Sequence, residues 1–145
     1  MSIDPAVVHR DHADGVPRSY LASATHGGVV WACGQVPRRA DGSVPGSIEE
    51  QVAVTIDNLE AVLRDAGASL ATVLKMTVFL ADLDEFDSYD EAYRARLDGN
   101  PLPPRTTVQV ARFRGEKRIE IDAVAAVVRE PGGPEDPTEP AHRKE

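Results

Sequence analysis

Arg105 and Glu120 are the two residues whose types and settings best suit chemistry. Arg105 follows Pro103-Pro104, so a stiff approach holds its backbone just before a strand-like run begins at Thr106. An arginine fixed at a strand entrance can present its planar fork to a carboxylate, which a flexible lysine does less well. Glu120 stands in the run Ile119-Glu120-Ile121, on the face opposite the two isoleucines. A carboxylate inside an otherwise apolar strand is costly unless paired or solvated. Taken singly, each has a plainer explanation: a surface arginine in a turn, and a rim glutamate facing water beside Asp122 on the same face. Together they mean more, because Arg105 starts one strand and Glu120 sits early in what the short turn at Gly115 marks as its hairpin partner.

Other chemistries find less support. The chain has no GxSxG, no phosphate loop, no glycine-rich dinucleotide fingerprint and no HExxH. His9 and His12 are spaced i, i+3 in a polar leader with Asp11 and Asp14, a weak basis for a metal site. Cys33 is the only cysteine, which excludes an internal disulfide framework and any cysteine-rich zinc site. At the end of an apolar strand it reads as a small hydrophobe.

These residues need elements to position them. Tyr20 to Thr25 reads as a strand entering a tight turn at Gly27-Gly28, and Val29 to Gly34 as the strand leaving it. Ser47 and Glu50 stand at capping-box spacing ahead of Val52, Ile56, Leu59 and Leu63, an apolar helical stripe that Gly67 ends. Leu74 to Leu80 alternates as a strand. A second helix runs from about Leu83 to Leu97, with Phe86, Tyr89, Tyr93 and Leu97 on one side, a stripe better suited to core and rim than to a cofactor. Thr106 to Phe113 and Arg118 to Val128 are two final strands. From Pro131 the chain turns proline-rich, with no apolar anchor, and is expected to be an extended tail.

Composition bounds the function. The 145 residues fit one domain, residues 1–130, with the tail at 131–145. A net charge of −8 argues against a surface that tracks phosphates, and the cluster Arg112, Arg114, Lys117 and Arg118 reads as a solvated turn. Nothing near the start resembles a signal peptide and no run is long enough to span a membrane, so the cytoplasm is the default expectation.

The order β-β-α-β-α-β-β gives two helices, enough to cover one face of the sheet. Yet the strands are apolar on both sides: Ile119, Ile121, Ala123 and Val127 alternate with Val124, Ala126 and Val128, and Val29 and Trp31 with Val30 and Ala32. A second apolar face with no helix to cover it calls for another subunit.

With those residues in view, the chain resembles the Rid proteins, also called the YjgF/YER057c/UK114 family. The likeness rests on Cys33-Gly34-Gln35-Val36-Pro37, Asp57-Asn58-Leu59 and Val78-Phe79-Leu80-Ala81-Asp82-Leu83. Most telling is Pro104-Arg105-Thr106-Thr107-Val108-Gln109-Val110-Ala111-Arg112 followed by Ile119-Glu120-Ile121-Asp122-Ala123. It covers about residues 16 to 129.

The resemblance implies a chorismate-mutase-like α+β fold that trimerises, with a cleft between subunits for a small imine or keto acid. It further implies an enamine/imine deaminase that hydrolyses 2-aminoacrylate-type compounds without a cofactor or metal. The family's carboxylate-binding arginine falls on Arg105, its water-handling glutamate on Glu120, its cleft tyrosine on Tyr20 and its cleft glycine on Gly34. Cys33 stands where archetypal members have serine, and Thr107 where they often have cysteine. Both keep a small polar group against the substrate. Two other readings stand beside this one: a non-catalytic trimer that binds a keto acid, and an endoribonuclease, which the acidic charge and the lack of interleaved basic and aromatic residues disfavour.

Overall fold

The computed structural model describes residues 6–128. The expected tail at 131–145 lies outside the described residues. Six strands form one mixed sheet: β1 (Val8–Arg10), β2 (Ser23–His26), β3 (Val29–Gln35), β4 (Val73–Leu80), β5 (Arg105–Gln109) and β6 (Ile119–Ala126). Helices α1 (Ile48–Asp65) and α2 (Phe86–Arg96) complete the α+β fold.

The first helix is locally dictated. Ser47 caps it by accepting from the Glu50 amide at 3.2 Å, while the Glu50 carboxylate pairs with Arg39 instead of closing the capping box. Gly67 ends it at φ +81°, where a side chain would be strained. There the Gly67 amide donates to the Arg64 carbonyl and the Ala68 amide to that of Leu63, the Schellman pattern. Val52, Ile56, Leu59 and Leu63 are all fully buried.

The strand order is β1-β2-β3-β6-β4-β5. This corrects one expectation: β5 and β6 are not hairpin partners. Both pair with β4, β5 in parallel on one edge and β6 antiparallel on the other. Helix α2 is the crossover that returns the chain parallel to β4. The eight-residue β6, apolar on alternate positions throughout, takes the centre of the sheet; the polar RTTVQ of β5 takes the edge. Two other departures are smaller. The leader holding His9 forms the edge strand β1, and Tyr20 lies ahead of β2.

Side chains directly opposite in paired strands share a face. On the helix side, Met76, Val78 and Leu80 of β4 join Ile119, Ile121 and Ala123 of β6 in the buried core under α1 and α2. The other face carries Trp31, Val124, Phe79 and Val108, with Trp31 49% and Val108 39% exposed. Among the described residues the helices cover one face only.

Two side-chain amides, one buried and one partly buried, tie loops to α1. Gln51 donates to the carbonyls of Pro45 and Glu116 and accepts from the Arg118 amide, which sets the approach to β6. Asn58 donates to the carbonyls of Val36 and Arg38, which fixes the chain leaving β3.

Candidate functional site

Arg105 opens β5 opposite Met76, so its side chain lies on the helix side of the sheet. The Met76 amide donates to the Pro104 carbonyl at 2.9 Å, which anchors the proline approach. The guanidinium carbon sits 5.8, 5.2 and 4.7 Å from the ring centres of Phe86, Tyr89 and Tyr93. Stacking of this kind orients the fork and leaves its N–H edges free to bond. One N–H already does: Nη1 donates to Asp90 Oδ1 at 2.7 Å. Thr107, two residues on, shares this face and hydrogen-bonds the Tyr89 hydroxyl. Burial pushes the Tyr93 phenol up to about 12, with the Arg105 charge opposing the shift. A cavity of about 220 Å³ opens here, lined by Asp90, Tyr93, Arg94, Leu102, Pro103 and Arg105.

Glu120 pairs with Phe79 and therefore faces the uncovered side. Two residues of β3, Cys33 and Gly34, bulge against β6 there. A methyl group at Gly34 would meet Glu120 Oε2 at 2.7 Å and Cδ at 2.8 Å, so only glycine leaves room for the carboxylate. Burial raises the Glu120 pKa above the ordinary glutamate range; Lys117 opposes the shift and Asp122 adds to it. Asp122 is raised by burial as well, with Thr77 hydrogen bonds opposing.

Cys33 is half-buried, with Sγ accepting from Gln35 Nε2 at 3.2 Å. Burial raises its thiol pKa, which suits a quiet side chain better than a nucleophile. Tyr20 is 56% exposed, and its carbonyl lies 2.8 Å from His12 Nε2. Arg18, clamped by both oxygens of Asp14, is close enough to feel Tyr20 and Cys33. Among the described residues no cluster of three or more metal-ligating side chains occurs.

Two half-sites result. One holds Arg105 and Thr107 with the tyrosines of α2; the other holds Glu120, Gly34 and Cys33. With β4 between their strands, and Arg105 and Glu120 level with Met76 and Phe79 of it, about 14 Å of sheet and opposite faces separate the two residues. Sequence reasoning missed Asp90 and Arg18. The i, i+4 spacings of Asp14 with Arg18 and of Asp90 with Arg94 are the local signals that could have marked them, whereas the contact of Asp90 with Arg105 comes from tertiary packing.

The fold has counterparts among known proteins. The family model described as Endoribonuclease L-PSP matches residues 14–127. The mitochondrial protein mmf2 of Schizosaccharomyces pombe is 40% identical over 111 residues, which covers 74% of this chain and 86% of that one. TdcF of Escherichia coli, whose name gives it provisionally as a reactive intermediate deaminase, is 31% identical over 122 residues, 82% of this chain and 95% of its own. The crystal structure of E. coli TdcF with bound serine superposes with a TM-score of 0.74 at 32% identity, covering 79% of this chain and 92% of that one. The E. coli YjgF gene product gives 0.71 at 30% identity, covering 81% and 93%. This chain belongs to the YjgF/Rid family, the family of the L-PSP endoribonuclease model. No helix among the described residues is long and apolar enough to cross a membrane.

Proposed function

We propose that this protein hydrolyses reactive enamines and imines of the 2-aminoacrylate type to 2-keto acids and ammonia, at sites shared between the subunits of a homotrimer. The observation that carries this is the separation of Arg105 and Glu120. Each sits in a prepared setting, yet they face opposite sides of one sheet. A second copy seated on the uncovered face would bring its own Arg105 edge to the Glu120 of the first. The exposed Trp31 and Val108 give that face apolar area to bury. The provisional name of TdcF and the serine bound in its crystal structure support a small ligand with a carboxylate and a nitrogen.

The chemistry follows from the groups. Arg105 would hold the carboxylate of a 2-imino acid, and so align its imine carbon. Glu120, ionised, would take a proton from a water as the oxygen bonds to that carbon. The carbinolamine that forms has a hydroxyl and an amine on one carbon. Return of that proton to the nitrogen of the carbinolamine, itself formed from the protonated imine, makes it a leaving group, and as the C–N bond breaks Glu120 takes the hydroxyl proton, releasing ammonia and leaving the ketone. Tyr20, Cys33 and Thr107 would shape the walls. No covalent intermediate or cofactor is required by these steps.

Subunit complementation tests the shared site. Arg105→Ala and Glu120→Gln should each be nearly inactive when 2-aminoacrylate is generated by a serine or threonine dehydratase and keto acid release is timed. Refolded together in equal amounts, they should recover about a quarter of wild-type activity, from interfaces that combine an intact Arg105 with an intact Glu120. No recovery from soluble, assembled mixtures overturns the shared site. Keto acid binding by wild type with no acceleration of imine loss would leave a binding module instead of an enzyme.

A further inference from the structure

Arg105 is not a bare cation. Its Nη1 donates to Asp90 Oδ1 at 2.7 Å, and the other oxygen of Asp90 accepts from Arg94 Nε at 3.3 Å. The Asp90 side chain is 23% exposed and lines the same cavity as Arg105. A hydrogen bond from Arg105 holds the Asp90 carboxyl below the usual aspartate range, so it is charged at neutral pH. The three rings of Phe86, Tyr89 and Tyr93 already orient the guanidinium, and a partly exposed ion pair adds little to folding. What the pair changes is what Arg105 can bind.

A ligand carboxylate that reaches Arg105 must share the fork with one already there. Two carboxylates on neighbouring edges of a guanidinium lie about 5 Å apart, and at a dielectric between that of a protein surface and that of water, as in a cleft open to solvent, their repulsion weakens binding on the order of tenfold. An uncharged ligand meets no such repulsion. Arg94 keeps the rim net positive, because the group holds two cations and one anion. Anions are therefore discounted, not barred.

We propose that Asp90 is a specificity-determining residue that lowers the weight of the ligand's carboxylate, so that uncharged imines and carbonyl compounds compete with 2-imino acids for the cleft. The inference rests on Arg105 being the carboxylate-binding group of the proposed site.

The test uses the full-length protein and two probes of similar size, pyruvate and its neutral amide, pyruvamide, titrated by calorimetry. In Asp90→Asn, which keeps the shape and removes the charge, pyruvate should bind about tenfold more tightly, while pyruvamide stays within twofold. Asp90→Ser should move pyruvate the same way. Pyruvate binding that is unchanged or weakened in both variants overturns the proposal. So does an equal gain for both ligands, or no binding of either ligand to any form. Imine hydrolysis is measured in parallel. Hydrolysis without the shift sinks the role of Asp90 alone; the shift without hydrolysis sinks the deaminase reading and leaves Asp90 standing.

Discussion

The two faces of the sheet are made from the same strands and finished differently. On the helix side, Met76, Val78, Leu80, Ile119 and Ile121 have no exposed surface, closed over by α1 and α2. On the other side, Trp31, Phe79, Val108 and Val124 form an apolar field with Glu120 and Asp122 set into it. The first face is committed to stability, since any vacancy there leaves a cavity. The second can hold half-buried carboxylates because the chain does not close it. Arg105 belongs to the helix side yet escapes burial in the core, being on the edge strand and against the face of α2 that carries Phe86, Tyr89 and Tyr93. Function gathers where the fold leaves its layers incomplete.

The largest effect expected comes from placing a charge on the open face. Trp31→Glu should yield a folded monomer in sedimentation equilibrium, with imine hydrolysis at background. A variant that stays assembled and active would remove that face from the subunit contact. Next, Glu120→Gln should lower hydrolysis on the order of 10²-fold or more while calorimetry still shows pyruvate binding. Normal turnover in this variant would take the glutamate out of the mechanism.

Gly34→Ala should act through position alone. The added methyl displaces a flexible carboxylate and not backbone, so the melting temperature should change by only a few degrees while kcat/KM falls about tenfold. Equal losses in stability and activity would reassign Gly34 to folding. The smallest effect concerns acidity. Burial raises the Glu120 pKa and the neighbouring Asp122 adds to it. Asp122→Asn should therefore shift the acid limb of the kcat/KM profile to lower pH. The sign for folding is opposite to that for activity: the stability that protonated Glu120 contributes is complete below the pKa of an unfolded glutamate and is lost as pH rises through the higher folded value. An acid limb that moves upward would contradict the like-charge coupling.

Much of this was legible in the order of residues. Helix α1 could be read to its ends because Ser47, the apolar stripe and Gly67 act within a few residues of one another. The uncovered apolar face was also legible, since the alternation in β3 and β6 repeats on both sides. Strand pairing was not. The short Gly115 turn suggests a hairpin between β5 and β6, but β4 offers a free edge to each, and sheet order depends on which strand can bear burial on both faces.

The sequence by itself determined every strand and helix of the sheet layer but β1, because local period and capping suffice for those; residue type and setting marked Arg105 and Glu120, and the resemblance to Rid proteins added Tyr20, Cys33, Gly34 and Thr107. Only the tertiary structure decided how they divide. It set Arg105 and Thr107 with Tyr89, Tyr93 and Asp90 on one side of the sheet. It set Glu120 against Gly34 on the other. Side-chain facing depends on register across strands far apart in the chain, and a shift of one residue would have reversed it.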